Sequence, residues 1–323
     1  MAGGHPEQRV ALIVTVRNEA STIDSLLDAI ALQTRAPDEV VIVDGGSLDG
    51  TWDRLQRSMD RMRLHCIRAP GAGIARGRNL AIAATASQVI AVTDAGVRLE
   101  PDWLAALLSG LAVDVDVVSG FFRAEAATTF ELALGATTLP AVEDIDARNF
   151  LPSSRSVLFR RAVWAGVGGY PEWLDYCEDL VFDLDLRRAG FRFVFAPRGV
   201  VWFRPRGSLS AFFRQYYLYA RGDGKADLWL GRHAIRYATY LVAAGLVWRG
   251  GWPARLLLLA GVSAYTRRPY ARLAAHLTGL SPEQALYALT LVPVIRLVGD
   301  VAKMLGYPVG VLWRVRRAWT CRS

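Results

Sequence analysis

Four short apolar runs begin near residues 10, 39, 64 and 89, and helical patterns fill the gaps between them. VALIVTV (10–16) is apolar without alternation, as expected of a strand buried on both faces. Ile23, Leu26, Leu27 and Ile30 then share one helical face in a segment running to about Gln33, with Ser21 placed to cap it. EVVIVD (39–44) reads as a second strand, DGTWDRLQRSM as a helix and LHCIR (64–68) as a third strand. Gly73 leads into a helix through Ala86, and VIAVTD (89–94) is a fourth strand. Strand and helix alternating at this interval predict βαβ units, hence an α/β fold on a parallel sheet.

From about 115 to 203 the pattern is mixed. DVVSGFF, SVLF, RFVF and VVWF read as strands, and 160–166 and 178–189 as helices. Ser208 is placed to cap SLSAFFRQYYLYAR, whose Phe and Tyr side chains are expected to pack against the sheet or the tail.

Beyond residue 230 the apolar runs lengthen. IRYATYLVAAGLVW (235–248) and WPARLLLLAGVSAY (252–265) flank Arg249, Gly250 and Gly251 and suit a tight helical hairpin, partly inserted in a membrane. The run over 285–313 is longer but interrupted by Pro293, Arg296, Asp300 and Lys303, so none is a clean uncharged span of about 20 residues. The net charge of +8 is concentrated here: residues 231–323 hold 13 Lys and Arg against two acids, Glu283 and Asp300, whereas residues 1–230 hold 25 against 28. A tail both basic and apolar fits an anionic membrane surface better than nucleic acid. The expected organisation is a catalytic domain over 1–230 and a membrane-associated helical tail over 231–323. The alternative is a soluble helical cap covering its apolar side chains with another surface. Cys66, Cys177 and Cys321 are too few and scattered for a disulfide framework, which fits a reducing compartment. MAGGHPEQRV has no apolar core of a secretory signal.

Ligands of open parallel sheets bind outside the carboxyl ends of the strands. Strand one ends at Thr15-Val16-Arg17-Asn18-Glu19, strand two at Asp44 and strand four at Asp94. These acids suit a base and ribose, or a divalent cation with oxygen ligands, while Ser47 and Asp49 read as caps of the next helix. No G-x-G-x-x-G follows strand one, and no Walker loop, G-x-S-x-G elbow or zinc spacing of His5, His65, His233 and His276 occurs.

Five segments stand in an order that resembles the family-2 glycosyltransferases, which have the GT-A fold: VTVRNEASTIDSLLDAI, VIVDGGSLDGT, GAGIARGRNLAI, VIAVTDAGVRLEPDWL and GVGGYPEWLDYCEDLVFDLDLRRAG. The likeness covers about residues 8–225. It implies a mixed, mainly parallel sheet flanked by helices and an inverting enzyme moving a sugar from a nucleotide-sugar to a hydroxyl acceptor. The apolar C-terminal helices lie beyond the likeness, and with them the acceptor is expected to be lipid-linked or membrane-proximal. By the resemblance Thr15, Glu19 and Asp44 contact the base and ribose, and Arg78 lies near base or phosphate. Asp94 is the first acid of the D-x-D motif and a ligand of Mg or Mn, and Asp179 is the catalytic base. A carboxylate within reach of an attacking hydroxyl suits that last role; the structural alternative for Glu178 and Asp179 is favourable charge in a helix's first turn.

The chain departs from the family at two points. Gly96 stands where the second D-x-D acid is usual, and Trp202-Phe203-Arg204-Pro205-Arg206 offers no His. Arg204, Arg206 and Arg221 are therefore alternatives to a metal for the leaving diphosphate. Processive relatives carry Q-x-x-R-W where Gln215 is here followed three residues on by Leu218, so single addition is expected. Cys177 has no neighbouring His to activate it and reads as an inert thiol. A cytosolic donor implies a catalytic domain facing the cytoplasm. The rival readings are a degenerate, non-catalytic membrane protein and a sugar-phosphate nucleotidyltransferase, whose Gly-rich loop is absent from VTVRNEAST.

Overall fold

The computed structural model describes residues 8–59 and 62–320; His5 and Cys321 lie outside them. The chain divides into two compact units, one comprising residues up to Arg123 with Val142–Phe203, the other Ala124–Ala141 with the residues from Arg204. The boundary drawn from sequence at 230 therefore falls inside the second unit.

The first unit is built on one eight-stranded sheet. β1 (Val10–Val16), β2 (Glu39–Asp44), β3 (Leu64–Arg68) and β4 (Val89–Asp94) alternate with α1 (Ile23–Ala31), α2 (Thr51–Met59) and α3 (Ile74–Ala83). Then follow β5 (Val97–Leu99), α4 (Trp103–Ser109), β6 (Val117–Ala124), β7 (Val157–Arg160), α6 (Arg161–Gly166), α7 (Glu178–Arg188) and β8 (Phe193–Phe203), with α5 (Thr129–Thr138) inserted after β6. The strand order is β3-β2-β1-β4-β7-β6-β8-β5. β1 to β4 pair in parallel, and β7 pairs antiparallel with both β4 and β6.

Residues of β1 alternate between two cores. Val10, Leu12, Val14 and Val16 join Ile23, Leu26, Leu27 and Ile30 of α1, whereas Ala11 and Ile13 join Ala81 and Ile82 of α3 and Phe182 and Leu186 of α7. Each such buried aliphatic side chain contributes about 1.5–3 kcal/mol. A cap is worth about 1 kcal/mol, so α1 forms without the expected one. Thr22, not Ser21, holds the cap position, and its hydroxyl turns to the Glu19 carboxylate at 2.6 Å.

The second unit is helical: α5, α8 (Leu209–Lys225), α9 (Leu230–Arg249), α10 (Trp252–Ala274) and α11 (Pro282–Thr320). Ser208 caps α8 as expected, accepting from Ala211 N at 3.2 Å. Phe212 of α8 is buried with Ala133 and Leu134 of α5 and Leu291, Val292 and Ile295 of α11.

Pro293, expected to interrupt the last run, does not, and neither does Pro308: α11 continues through both. A helical proline leaves the carbonyl four residues back without its donor. Here Tyr270 OH donates to Leu289 O at 3.2 Å and Tyr237 OH donates to Met304 O. Asp300, the acid in the same run, is buried and accepts from Arg236 Nε (2.9 Å), Tyr240 OH (3.1 Å) and Tyr265 OH (2.6 Å). Among the described residues α11 is the one helix long and apolar enough to cross a membrane.

Candidate active site

The carboxyl ends of β2, β1 and β4 come level: Val16 pairs with Asp44, and Thr15 with Asp94. Asp44 is fully buried. Its Oδ1 accepts from Ser47 N (2.9 Å), Ser47 Oγ (2.6 Å) and Gly46 N (3.2 Å). Asp44 Oδ2 and Thr15 Oγ1 are buried and have no partner among the described residues. Ser47 thus belongs to the turn after β2, where its hydroxyl also accepts from Asn18 N at 2.8 Å, while Asp49 Oδ1 accepts from Thr51 N at 3.1 Å to begin α2. Glu19 N donates to Thr51 Oγ1 at 2.8 Å. A Cβ at Gly96 would lie 3.5 Å from Glu19 Oε2, so Glu19 reaches the turn after β4.

Arg78 of α3 is 2% exposed and joins two distant parts of the sequence. NH1 donates to Glu178 Oε1 and NH2 to Asp94 Oδ1, each at 2.8 Å, and its guanidinium lies 5.3 Å from the Tyr170 ring centre. Burial disfavours its charge, but Asp94 and Glu178 more than offset this and raise its pKa. α3 approaches β1 closely enough that a Cβ at Gly77 would stand 2.8 Å from Thr15 Cγ2, so only glycine fits. Asn79, which follows Arg78, accepts from Tyr170 N (2.9 Å) and Trp164 Nε1 (3.0 Å) and donates to Tyr170 O (2.9 Å). The Gly-Arg-Asn and Gly-Gly-Tyr segments are therefore fastened to each other.

Asp179 is half-buried in the first turn of α7, which follows Cys177 in a left-handed conformation at φ 66°. A cysteine there is strained, a feature found where a site over-determines its backbone. Burial pushes Glu178 up to about 7, Asp179 adds to this and Arg78 opposes it. Asp183, one turn on, is pushed up by burial and then by Asp179, and its buried Oδ2 has no partner among the described residues.

The structure thus gathers Thr15, Arg78, Asp94 and the Glu178-Asp179 pair and places Asp44 at the end of β2 and Glu19 in the loop after β1. Arg78 is committed to two carboxylates rather than standing open for base or phosphate. Arg204, Arg206 and Arg221 belong to the second unit, where Arg204 Nε donates to Glu131 Oε1 at 2.8 Å. Two residues escaped the sequence reading. Asp183 had a signal, its i+4 spacing from Asp179 on one helix face. Arg155 had none: its Nε lies 4.0 Å from Asp94 Oδ2.

A divalent ion needs several hard oxygen donors. Asp94 Oδ1 is taken by Arg78, Oδ2 faces Arg155, and position 96 has no side chain. Among the described residues no group of three His, Cys, Asp or Glu converges. These residues do not fit a protein-held divalent ion at Asp94, the metal role expected for it.

Residues 11–159 match the family described as Glycosyl transferase family 2. The chain carries a family 2 glycosyl transferase domain. Its relatives include the succinoglycan biosynthesis protein ExoA of Rhizobium meliloti, 26% identical over 226 residues, which are 66% of this chain and 68% of that protein. Glycosyltransferase AglE of Haloferax volcanii is 26% identical over 230 residues, 68% and 74% of the two chains. The O-antigen chain rhamnosyltransferase RfbN of Salmonella typhimurium is 22% identical over 222 residues, 64% and 70%. Mannosyltransferase PcManGT from Pyrobaculum calidifontis, solved with GDP-Man and Mn2+, superposes with a TM-score of 0.64 at 20% identity, over 92% of this chain and 87% of that one. The fold is of the GT-A type, and the chain is a glycosyltransferase.

Proposed function

We propose that the enzyme is an inverting transferase that adds one sugar from a nucleotide-sugar to a hydroxyl acceptor at a membrane surface. The observation that carries this reading is the Arg78 bridge, which sets the end of β4 beside the first turn of α7. The donor side is supported by the unpartnered oxygens of Asp44 and Thr15, since a buried polar group without a partner costs about 1–3 kcal/mol and a bound base or ribose would satisfy them. The complex of the mannosyltransferase with GDP-Man agrees with a nucleotide-sugar.

Asp179 is the base in this reading. The acceptor oxygen attacks the anomeric carbon and its proton passes to the Asp179 carboxylate. The bond from that carbon to the donor's phosphate oxygen breaks, and its electron pair leaves on the diphosphate. One displacement inverts the anomeric centre. Glu178, held by Arg78, fixes the start of α7 and is a positioning residue.

The membrane side rests on α9 and α10. Trp248 (90% exposed) and Trp252 (73%) stand on either side of Gly250-Gly251, with Leu241, Leu257 and Leu259 also exposed. Exposed tryptophans and leucines on a basic hairpin suit the interface of an anionic leaflet, and the excess of Arg favours the cytoplasmic side. The polysaccharide roles named for ExoA and RfbN agree with a lipid-linked or glycan acceptor. Incubation of the full-length enzyme in liposomes with a panel of nucleotide-sugars and lipid-linked acceptors tests the reading. One new sugar per acceptor, with inverted anomeric configuration by NMR, is expected; retention of configuration overturns it.

A further inference from the structure

We infer that Arg155 binds the leaving diphosphate of the donor, supplying the positive charge for which the family's paired acids recruit a metal ion. The inference rests on the nucleotide-sugar reading above and adds to it the group that meets the leaving charge.

Arg155 lies in the segment before β7, and its position is built. Thr93 Oγ1 of β4 donates to Arg155 O at 2.8 Å, Ser153 Oγ accepts from NH1 at 3.2 Å, and the guanidinium lies 4.6 Å from the Phe203 ring centre. The side chain keeps 25% exposure, whereas Arg78, the other guanidinium on Asp94, is sealed at 2%. So of the two cations on Asp94, Arg155 is the one a ligand can reach. A guanidinium presents its N–H donors in a planar fork that matches two phosphate oxygens.

The same geometry opposes a dication at Asp94. An ion there would sit within a few ångströms of both guanidinium groups, whose like charge repels it. A diphosphate would instead meet the accessible Arg155 guanidinium, the less buried of the two. As the bond to the anomeric carbon breaks, negative charge grows on the departing phosphate oxygen, and charge-assisted hydrogen bonds from a preorganised guanidinium strengthen with it.

The test is titration calorimetry of the full-length protein in EDTA with UDP, GDP and dTDP, each against its nucleoside. Wild type is expected to bind at least one diphosphate without metal. Arg155→Gln should weaken that diphosphate by about 10–100-fold and leave the nucleoside unchanged. Unchanged diphosphate affinity in Arg155→Gln, or wild-type diphosphate binding that needs Mn2+, overturns the inference and spares the nucleotide-sugar reading. Binding of no nucleotide in EDTA or Mn2+ overturns both. Should Arg155→Gln fail to fold, Arg155→Met, which keeps an apolar stem beside Phe203 and loses the charge, decides: a loss confined to the diphosphate supports the inference, and wild-type affinity defeats it.

Discussion

Arg78 and Glu178, a hundred residues apart in sequence, meet in a buried 2.8 Å ion pair. The pair is not balanced in isolation, because Arg78 also serves Asp94, and Asp179 stands beside Glu178. Burial, and then the charge of Asp179, push Glu178 up to about 7 from an ordinary value of 4.5, against the pull of Arg78. An acid whose pKa is raised on folding binds more protons folded than unfolded between those two values. Stability then falls as pH rises from about 4.5 to 7, by up to about 3 kcal/mol for a shift of this size. Glu178→Gln removes the titration. The difference in unfolding free energy between wild type and Glu178→Gln, followed by denaturant melts from pH 5 to 8, should drift against wild type across that window. A difference independent of pH would show that Glu178 is ionised throughout.

Asp179→Asn keeps the size of the side chain and cannot accept the acceptor's proton. Transfer should drop about 10²–10⁴-fold, the range for loss of a general base. Donor affinity should stay within about twofold, since no donor contact is assigned to this residue. Single-turnover transfer and equilibrium donor binding separate the two quantities. Transfer near the wild-type rate removes Asp179 from the chemistry.

How much of this was legible beforehand depended on whether the signal was local. The strands from Val10, Glu39, Leu64 and Val89 announce themselves because strands covered on both faces must be apolar throughout. RFVF and VVWF read as two strands because Pro197 and Gly199 lie between them. They form the single strand β8, where Gly199 is required by packing: a Cβ there would stand 2.6 Å from Leu107 Cδ2. α5 was legible and overlooked. Its T-x-x-E signature is that of a helix start: Thr128 Oγ1 accepts from Glu131 N at 3.2 Å, and Glu131 Oε2 accepts from Ala127 N, one residue before the cap, at 2.7 Å. At the site, Asp44, Asp94 and Asp179 stood out by place in their motifs. The pairing of Arg78 with Glu178 and the approach of Arg155 to Asp94 are products of chain crossing, which no local pattern encodes.

The continuity of α11 depends on two tyrosines from neighbouring helices. Tyr270→Phe leaves Leu289 O and Tyr237→Phe leaves Met304 O without the hydroxyl that replaces the missing proline N–H. Each should cost about 1 kcal/mol, the net worth of a hydrogen bond to a partly buried acceptor. Replacing the proline as well restores a backbone donor, so Tyr270→Phe with Pro293→Ala should recover most of the loss of Tyr270→Phe alone. Thermal denaturation of the four proteins in this cycle measures the coupling. Additive effects would mean the hydroxyl and the proline are unrelated.

The hairpin of α9 and α10 is the place to test the membrane. Removing everything after residue 230 is a poor experiment, because α11 covers Phe212 of α8 and its loss would expose a core rather than a docking face. Trp248 and Trp252 are exposed, so changing them leaves the packing intact. Burying a large apolar side chain contributes about 1.5–3 kcal/mol. Trp248→Ser with Trp252→Ser should therefore weaken binding to anionic liposomes by about 10²-fold, with unchanged melting temperature. Charge adds a second, separable dependence. Residues 231–323 carry 13 basic groups and two acids, so binding of wild type should fall as salt rises and as anionic lipid is replaced by zwitterionic lipid. Liposome flotation of both proteins across a salt series reads both effects. Retention of the double variant at wild-type levels in high salt would assign membrane binding to another part of the chain, with α11 the first to examine.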